Sequence, residues 1–148
     1  MAGTIVVERT LRIAATPEDL QRRLADLPGW VDWSPWEGLD SALDRDYAGE
    51  PGTVGSSYAW SGNRKAGAGR MQVTAVDPDG VGIALDFTKP FRSSNRIRFV
   101  LTPEGDGTRV TWRMESPKTF LSRVFSIEKL VGKDFEKGLR QLKQVVEG

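Results

Sequence analysis

The chain has 148 residues, 21 lysines and arginines against 20 acidic residues, a formal net charge of +1, no cysteine and no histidine. Disulfides, thiolate or imidazole metal sites, cysteine nucleophiles and the histidine-assisted hydrolytic pairs are therefore excluded, along with the commonest general base near neutral pH. The balanced charge exerts no general pull on nucleic acid or an anionic membrane, and no apolar run has the length of a membrane span.

The N-terminus lacks the apolar core of a signal peptide, so the expectation is one cytoplasmic domain over residues 1–148. It carries expectations of no stable membrane insertion, no nucleic-acid partner, no cofactor and no metal. Charge is uneven along the chain: Glu18 to Glu50 is mostly acidic, and Arg64 to Arg98 is basic. Without single-sign blocks, the basic stretch reads as the solvated face of a sheet.

From Thr4 to Ile13, Ile5, Val7, Leu11 and Ile13 alternate with Glu8, Thr10 and Arg12, the pattern of a half-buried strand that Val6 and Arg9 interrupt. Thr16-Pro17-Glu18-Asp19 reads as a helix start, with threonine as the cap, proline in the first turn and acids at the positive end of the dipole. Leu20, Leu24 and Leu27 give that helix one apolar face, and Pro28-Gly29 is expected to stop it. Trp30-Val31-Asp32-Trp33-Ser34-Pro35-Trp36 follows. In a second short helix Trp30 and Trp33 share a face, and Pro35 then forces the chain out.

Six strands are predicted next: Leu43 to Ala48, Val54 to Ser61, Gly69 to Val76, Val81 to Thr88, Asn95 to Thr102 and Thr108 to Glu115. Short turn-rich separators such as Asp77-Pro78-Asp79-Gly80 predict an antiparallel meander. Alternation places Tyr58 and Trp60, Met71 and Val73, Ile83, Leu85 and Phe87, Ile97, Phe99 and Leu101, and Val110, Trp112 and Met114 on one apolar face. The opposite face is charged, and its opposite signs read as cross-strand pairs.

The last thirty residues, Thr119 to Gly148, read as a long amphipathic helix. Phe120, Leu121, Val124, Val131, Phe135, Leu139, Leu142 and Val146 form its apolar stripe. Gly138 leaves a hole in the stripe, which either receives a bulky sheet residue such as Trp112 or enlarges a pocket; close packing is the commoner arrangement. Glu128 falls about 20° from the stripe's centre on an unbroken helix. It is either a polar anchor or general base for a ligand or, more often for such a residue, a sign of a helix break at Gly132 or a salt bridge at a cavity mouth. Continuity of the helix through Gly132 stays open.

One helix about 10 to 12 Å across cannot cover seven strands spaced about 4.8 Å apart, so the sheet must curl and leave a gap near the Trp30 to Trp36 segment. The expected ligand-binding residues are Trp33, Trp36, Tyr58, Trp60, Met71, Phe87, Phe99, Trp112, Met114, Val124, Glu128, Val131 and Phe135. Trp33 and Trp36 are expected to gate the mouth, and Glu128 and Tyr58 are the catalytic candidates. Asp32, Glu37 and Asp40 lack a metal-loop spacing and read as caps, and no phosphate-loop pattern accompanies the glycines around Asn63.

Several strings in order resemble a known family: Trp33-Ser34-Pro35-Trp36, Tyr47-Ala48-Gly49, Val54 through Tyr58-Ala59-Trp60 to Asn63, Lys89-Pro90-Phe91, Gly107-Thr108-Arg109-Val110-Thr111-Trp112 and Gly132 through Phe135 to Leu139. The chain is similar, from about Ile5 to Val146, to the polyketide cyclase/dehydrase and lipid-transport family of the START-like (SRPBCC) superfamily. That resemblance implies an α+β helix-grip fold. In it a curved seven-stranded antiparallel sheet surrounds a long C-terminal helix, two short helices follow the first strand, and a deep hydrophobic cavity lies between sheet and helix.

Relatives include aromatase/cyclases and binders of lipids and hormones, so the fold implies no single activity. Some carry an N-terminal membrane anchor, for which there is no sign here, and cyclising relatives often move protons with polar pocket groups, for which this chain has no histidine. The favoured function is binding or carriage of an apolar or aromatic small molecule or lipid. The alternatives are a small cyclase or dehydratase in the same cavity, and a protein-interaction module without ligand. Oligomeric state is not legible.

Overall fold

Strict alternation of apolar and polar side chains decides the architecture, because it gives each strand one side that must be buried. The computed structural model describes residues 4–38, 40–64, 66–89, 92–117 and 127–148, the side chains of 127–130 excepted. Its strands are β1 (Thr4–Ile13), β2 (Asp44–Ala48), β3 (Ser57–Ser61), β4 (Ala68–Asp77), β5 (Gly80–Lys89), β6 (Ser93–Glu104) and β7 (Gly107–Pro117). They form one antiparallel sheet in the order β1-β7-β6-β5-β4-β3-β2. The meander runs from β2 to β7, and β1 closes its far edge. The bounds of β1 are those its alternation predicts, and the other strands start or end within a few residues of expectation.

On the outer face the charges pair across strands, as expected. Arg113 meets Glu8 at 3.2 Å and Arg96 meets Glu115 at 3.5 Å, in both cases between register partners. On the inner face Ile83, Leu85, Ile97, Phe99, Leu101, Val110 and Trp112 are buried. The hairpin between β6 and β7 turns at Gly105, whose φ of +61° favours glycine.

Two short helical elements follow β1. In α1 (Pro17–Ala25), the Thr16 side chain accepts from the Asp19 N–H at 3.2 Å, and Leu20 and Leu24 are fully buried. Pro28-Gly29 does not stop this helix. It ends at Ala25, and the two residues lie inside a 3₁₀ helix (Leu27–Asp32) whose N-cap, Asp26, accepts from the Gly29 N–H. Proline is at home there because the first turn of a helix has no partner for its missing N–H. α1 packs over β4, β5 and β6 at one end of the inner face.

The C-terminal helix, α2 (Ile127–Glu147), is continuous through Gly132, so a break at that glycine is not the explanation of Glu128. Phe120, Leu121 and Val124 lie outside the described residues, as does the side chain of Glu128. α2 rests on β1 and β7 and touches the 3₁₀ helix. Phe135, Leu139 and Leu142 are fully buried, and Phe135 stacks on Trp112 with centroids 4.1 Å apart and planes 7° apart.

Gly138 is the contact point. A Cβ there would lie 2.8 Å from Trp112 Cζ3 and 2.9 Å from Pro35 Cδ. The hole in the stripe is therefore filled by close packing. Arg9, the polar exception on the inner face of β1, lies across Gly132 in the same manner and reaches Glu136 at 3.5 Å.

Two outcomes follow. Gly138→Ala improves helix propensity by about 1 kcal/mol but overpacks against Trp112 and Pro35, so chemical denaturation is expected to show a net loss of about 1 to 2 kcal/mol; a gain would contradict the packing described. Thr16→Ala removes the α1 cap and is expected to lower stability by about 1 kcal/mol in the same assay; an unchanged midpoint would contradict the capping role.

Candidate functional site

α2 covers the β1 and β7 side of the inner face and α1 covers one end of β4 to β6. Among the described residues, neither α1 nor α2 covers the remaining inner face on β3, β4 and β5, and the 3₁₀ helix touches it at β3. Tyr58, Trp60, Met71, Leu85 and Phe87 form the floor of a cleft of about 430 Å³ there. Trp30, Ser34, Pro35, Trp36 and Glu37 form one wall, Asp134 and Lys137 of α2 a second, and Leu43 and Ala66 complete the rim among the described residues.

The floor is aromatic and rigid. Tyr47 and Tyr58, register partners on β2 and β3, stack at 4.8 Å and 18°, and Tyr58 stacks on Trp60 at 5.8 Å and 24°. Phe87 meets Trp60 edge-on at 5.7 Å. Trp60 can lie against β4 because its register partner is Gly69, where a Cβ would come within 2.7 Å of the indole. Its Nε1 donates to the Ala66 carbonyl at 2.9 Å. With the indole N–H satisfied, the ring presents an apolar surface.

Polar ties hold the segment that follows the 3₁₀ helix. Trp36 Nε1 donates to Asp134 Oδ2 at 3.0 Å, and Gln141 Nε2 donates to the Trp33 and Ser34 carbonyls at 2.7 and 3.2 Å. Arg45 of β2 grips Glu37 with both terminal nitrogens, at 2.6 and 3.0 Å, and also donates to the Tyr58 hydroxyl at 3.2 Å. Asp40 accepts from the Ala42 and Asn63 N–H groups, tying the rim to the β3–β4 loop. The bonds to Glu37 raise the Arg45 pKa further above its ordinary range, against a smaller opposing effect of burial. Burial pushes the Tyr58 phenol above its ordinary value, and the nearby Arg45 charge only partly offsets this.

The expected site residues divide into groups. Trp36, Tyr58, Trp60, Met71 and Phe87 come together around the cleft. Trp33, Phe99 and Trp112 are fully buried in an aromatic cluster with Trp30, in which Trp33 lies 5.7 Å from Trp112 and 6.2 Å from Phe99. Trp33 is thus placed in the core and not at the mouth. Its Nε1 and that of Trp112 have no hydrogen-bond partner among the described residues. Met114 is buried on β7 and Phe135 on the sheet-facing side of α2; Val131 is half-buried on α2, and none of the three lines the cleft. Val124 and the Glu128 side chain fall outside the described residues.

The Glu37–Arg45–Tyr58 chain was not anticipated as a unit. Its only sequence signal is an arginine on the face of β2 that also carries Tyr47. Asp134 and Lys137 were missed because they flank the stripe and do not belong to it.

The sequence matches the family described as polyketide cyclase/dehydrase and lipid transport over residues 4–147. No curated protein matches it. Among solved structures, it is similar to ginseng major latex-like protein 151 from Panax ginseng, with 18% identity over 95% of this chain and 96% of that one and a TM-score of 0.67. It is also similar to the Aha1 dimer from Colwellia psychrerythraea, with 19% identity, 94% and 93% coverage and a TM-score of 0.66. A third is DynU16, a protein in the dynemicin biosynthetic locus, with 17% identity over 96% of this chain but 47% of that one and a TM-score of 0.65. At these identities the likeness is one of fold, the helix-grip arrangement of a curved sheet and a C-terminal helix. With the family match running nearly end to end, the chain belongs to the polyketide cyclase/dehydrase and lipid-transport family of START-like proteins.

Proposed function

We propose that the protein binds and carries an apolar or aromatic small molecule in the cleft over β3, β4 and β5, and does so in the cytoplasm. The observation that carries this reading is a cleft with a largely apolar floor. Tyr58, Trp60, Met71, Leu85 and Phe87 sit on the inner side of the sheet, yet among the described residues neither α1 nor α2 packs over them. A molecule seated there buries apolar surface at about 25 cal/mol per Å², and a volume of about 430 Å³ is within the usual range of small-molecule sites. The family description, which includes lipid transport, agrees with this reading.

A second reading rests on the same family description and on the polar group at the cleft wall. In it the cleft folds a reactive chain for cyclisation or dehydration, with Tyr58 or Glu128 moving the proton. Docking of a protein partner has less support, because among the described residues the exposed large apolar ones, Val6, Val31, Tyr47, Val54 and Val145, are spread over separate segments.

Trp36 and Trp60 border the cleft, whereas Trp33 and Trp112 are sealed in the core. Titration with fatty acids, polyaromatics, isoprenoids and flavonoids is therefore expected to change tryptophan emission saturably for at least one class. The change should shrink in Trp60→Phe. Emission that no class alters would remove the carrier reading.

A further inference from the structure

The strongest unassigned feature is the way Tyr58 is held. Its ring is fixed between Tyr47 and Trp60. Its hydroxyl oxygen accepts from Arg45, and Arg45 is in turn fixed by its two bonds to Glu37. The oxygen's acceptor role is thus taken, and no described residue accepts the hydroxyl's own proton. Tyr58 and Glu37 both line the cleft, and the floor beside them is apolar, made by Trp60, Met71, Leu85 and Phe87.

We propose that Tyr58 is the specificity-determining hydrogen-bond donor of the cleft, reading a carbonyl oxygen on an otherwise apolar ring system, and that Glu37 and Arg45 are the positioning residues that hold it. The inference rests on the carrier reading and adds the chemistry of the ligand. A phenol whose oxygen already accepts from a guanidinium has only its proton left to offer. Donation from a cation polarises the O–H and strengthens it as a donor. A phenol is protonated at neutral pH in any case, and burial moves this one further from ionisation, so the group is present as a donor. A donor fixed in apolar surroundings discriminates well, because a ligand without an acceptor leaves it unpaired.

The test uses two probes that differ only in the carbonyl, 9-fluorenone and fluorene, with binding to the full chain measured by equilibrium dialysis. The protein is expected to bind fluorenone more tightly. In Tyr58→Phe the fluorenone-to-fluorene affinity ratio should fall about five- to tenfold, with fluorene binding retained as evidence that the cleft is intact. In Glu37→Gln, which loosens Arg45 without touching Tyr58, the ratio should fall by a smaller factor, again with fluorene binding retained.

Equal affinity for the two probes, or a preference that survives Tyr58→Phe, overturns the donor role and leaves the carrier reading standing. A ratio unchanged in Glu37→Gln overturns the positioning role. Failure of both probes to bind overturns the inference, while the carrier reading is decided separately by the titration with fatty acids, isoprenoids and flavonoids.

Discussion

The seating of α2 on β7 governs where the open space of this molecule lies. Phe135 lies flat on Trp112, and Gly138 brings the helix backbone so close to that indole that a methyl group would not fit. A helix fixed by this contact sits toward the β1 edge of a seven-stranded sheet, not over its middle. Because α1 covers only one end of β4 to β6, neither it nor α2 covers the aromatic residues on the inner side of β3 to β5. The cleft is thus a consequence of where one rod docks on a wide concave surface.

Different interactions hold the floor and the rim. The floor is fixed by ring stacking, by the absence of a side chain at Gly69 and by an indole bond to backbone, none of which depends on exposed charge. The rim is held by Trp36 to Asp134, Arg45 to Glu37 and Asp40 to the Asn63 N–H. Of these ties one, Arg45 to Glu37, is a partly exposed ion pair, and the other two are hydrogen bonds from an indole and a backbone N–H. A stacked aromatic base under a polar rim agrees with the proposed carriage of a small molecule.

Much of the architecture was legible because alternation and helical periodicity report directly on burial. The ends of β1, the inner-face residues and the close packing at Gly138 could all be read from the chain. The lateral position of α2 could not, since an apolar stripe says which side of a helix is buried but not which strands lie under it. The tryptophans divide for a related reason. In a 3₁₀ helix residues three apart eclipse, so Trp30 points into the core from within the helix and Trp33, just past its end, follows it, whereas Pro35 turns the chain and sends Trp36 to the rim. Arg45 was hidden by its strand. β2 is short, at the sheet edge and exposed, and beyond the face that Arg45 shares with Tyr47 its sequence does not say that the arginine lies between Glu37 and Tyr58.

The claim on which the rest depends is that the space over β3 to β5, and not the packed region under α2, receives a ligand. The two inner-face methionines distinguish these places, since Met71 lines the cleft whereas Met114 is buried on β7 outside it. With ¹³C-labelled methionine methyl groups, titration with an aromatic ligand should shift the Met71 resonance through the ligand's ring current and leave Met114 nearly unmoved. A shift at Met114 with Met71 unchanged would contradict the account.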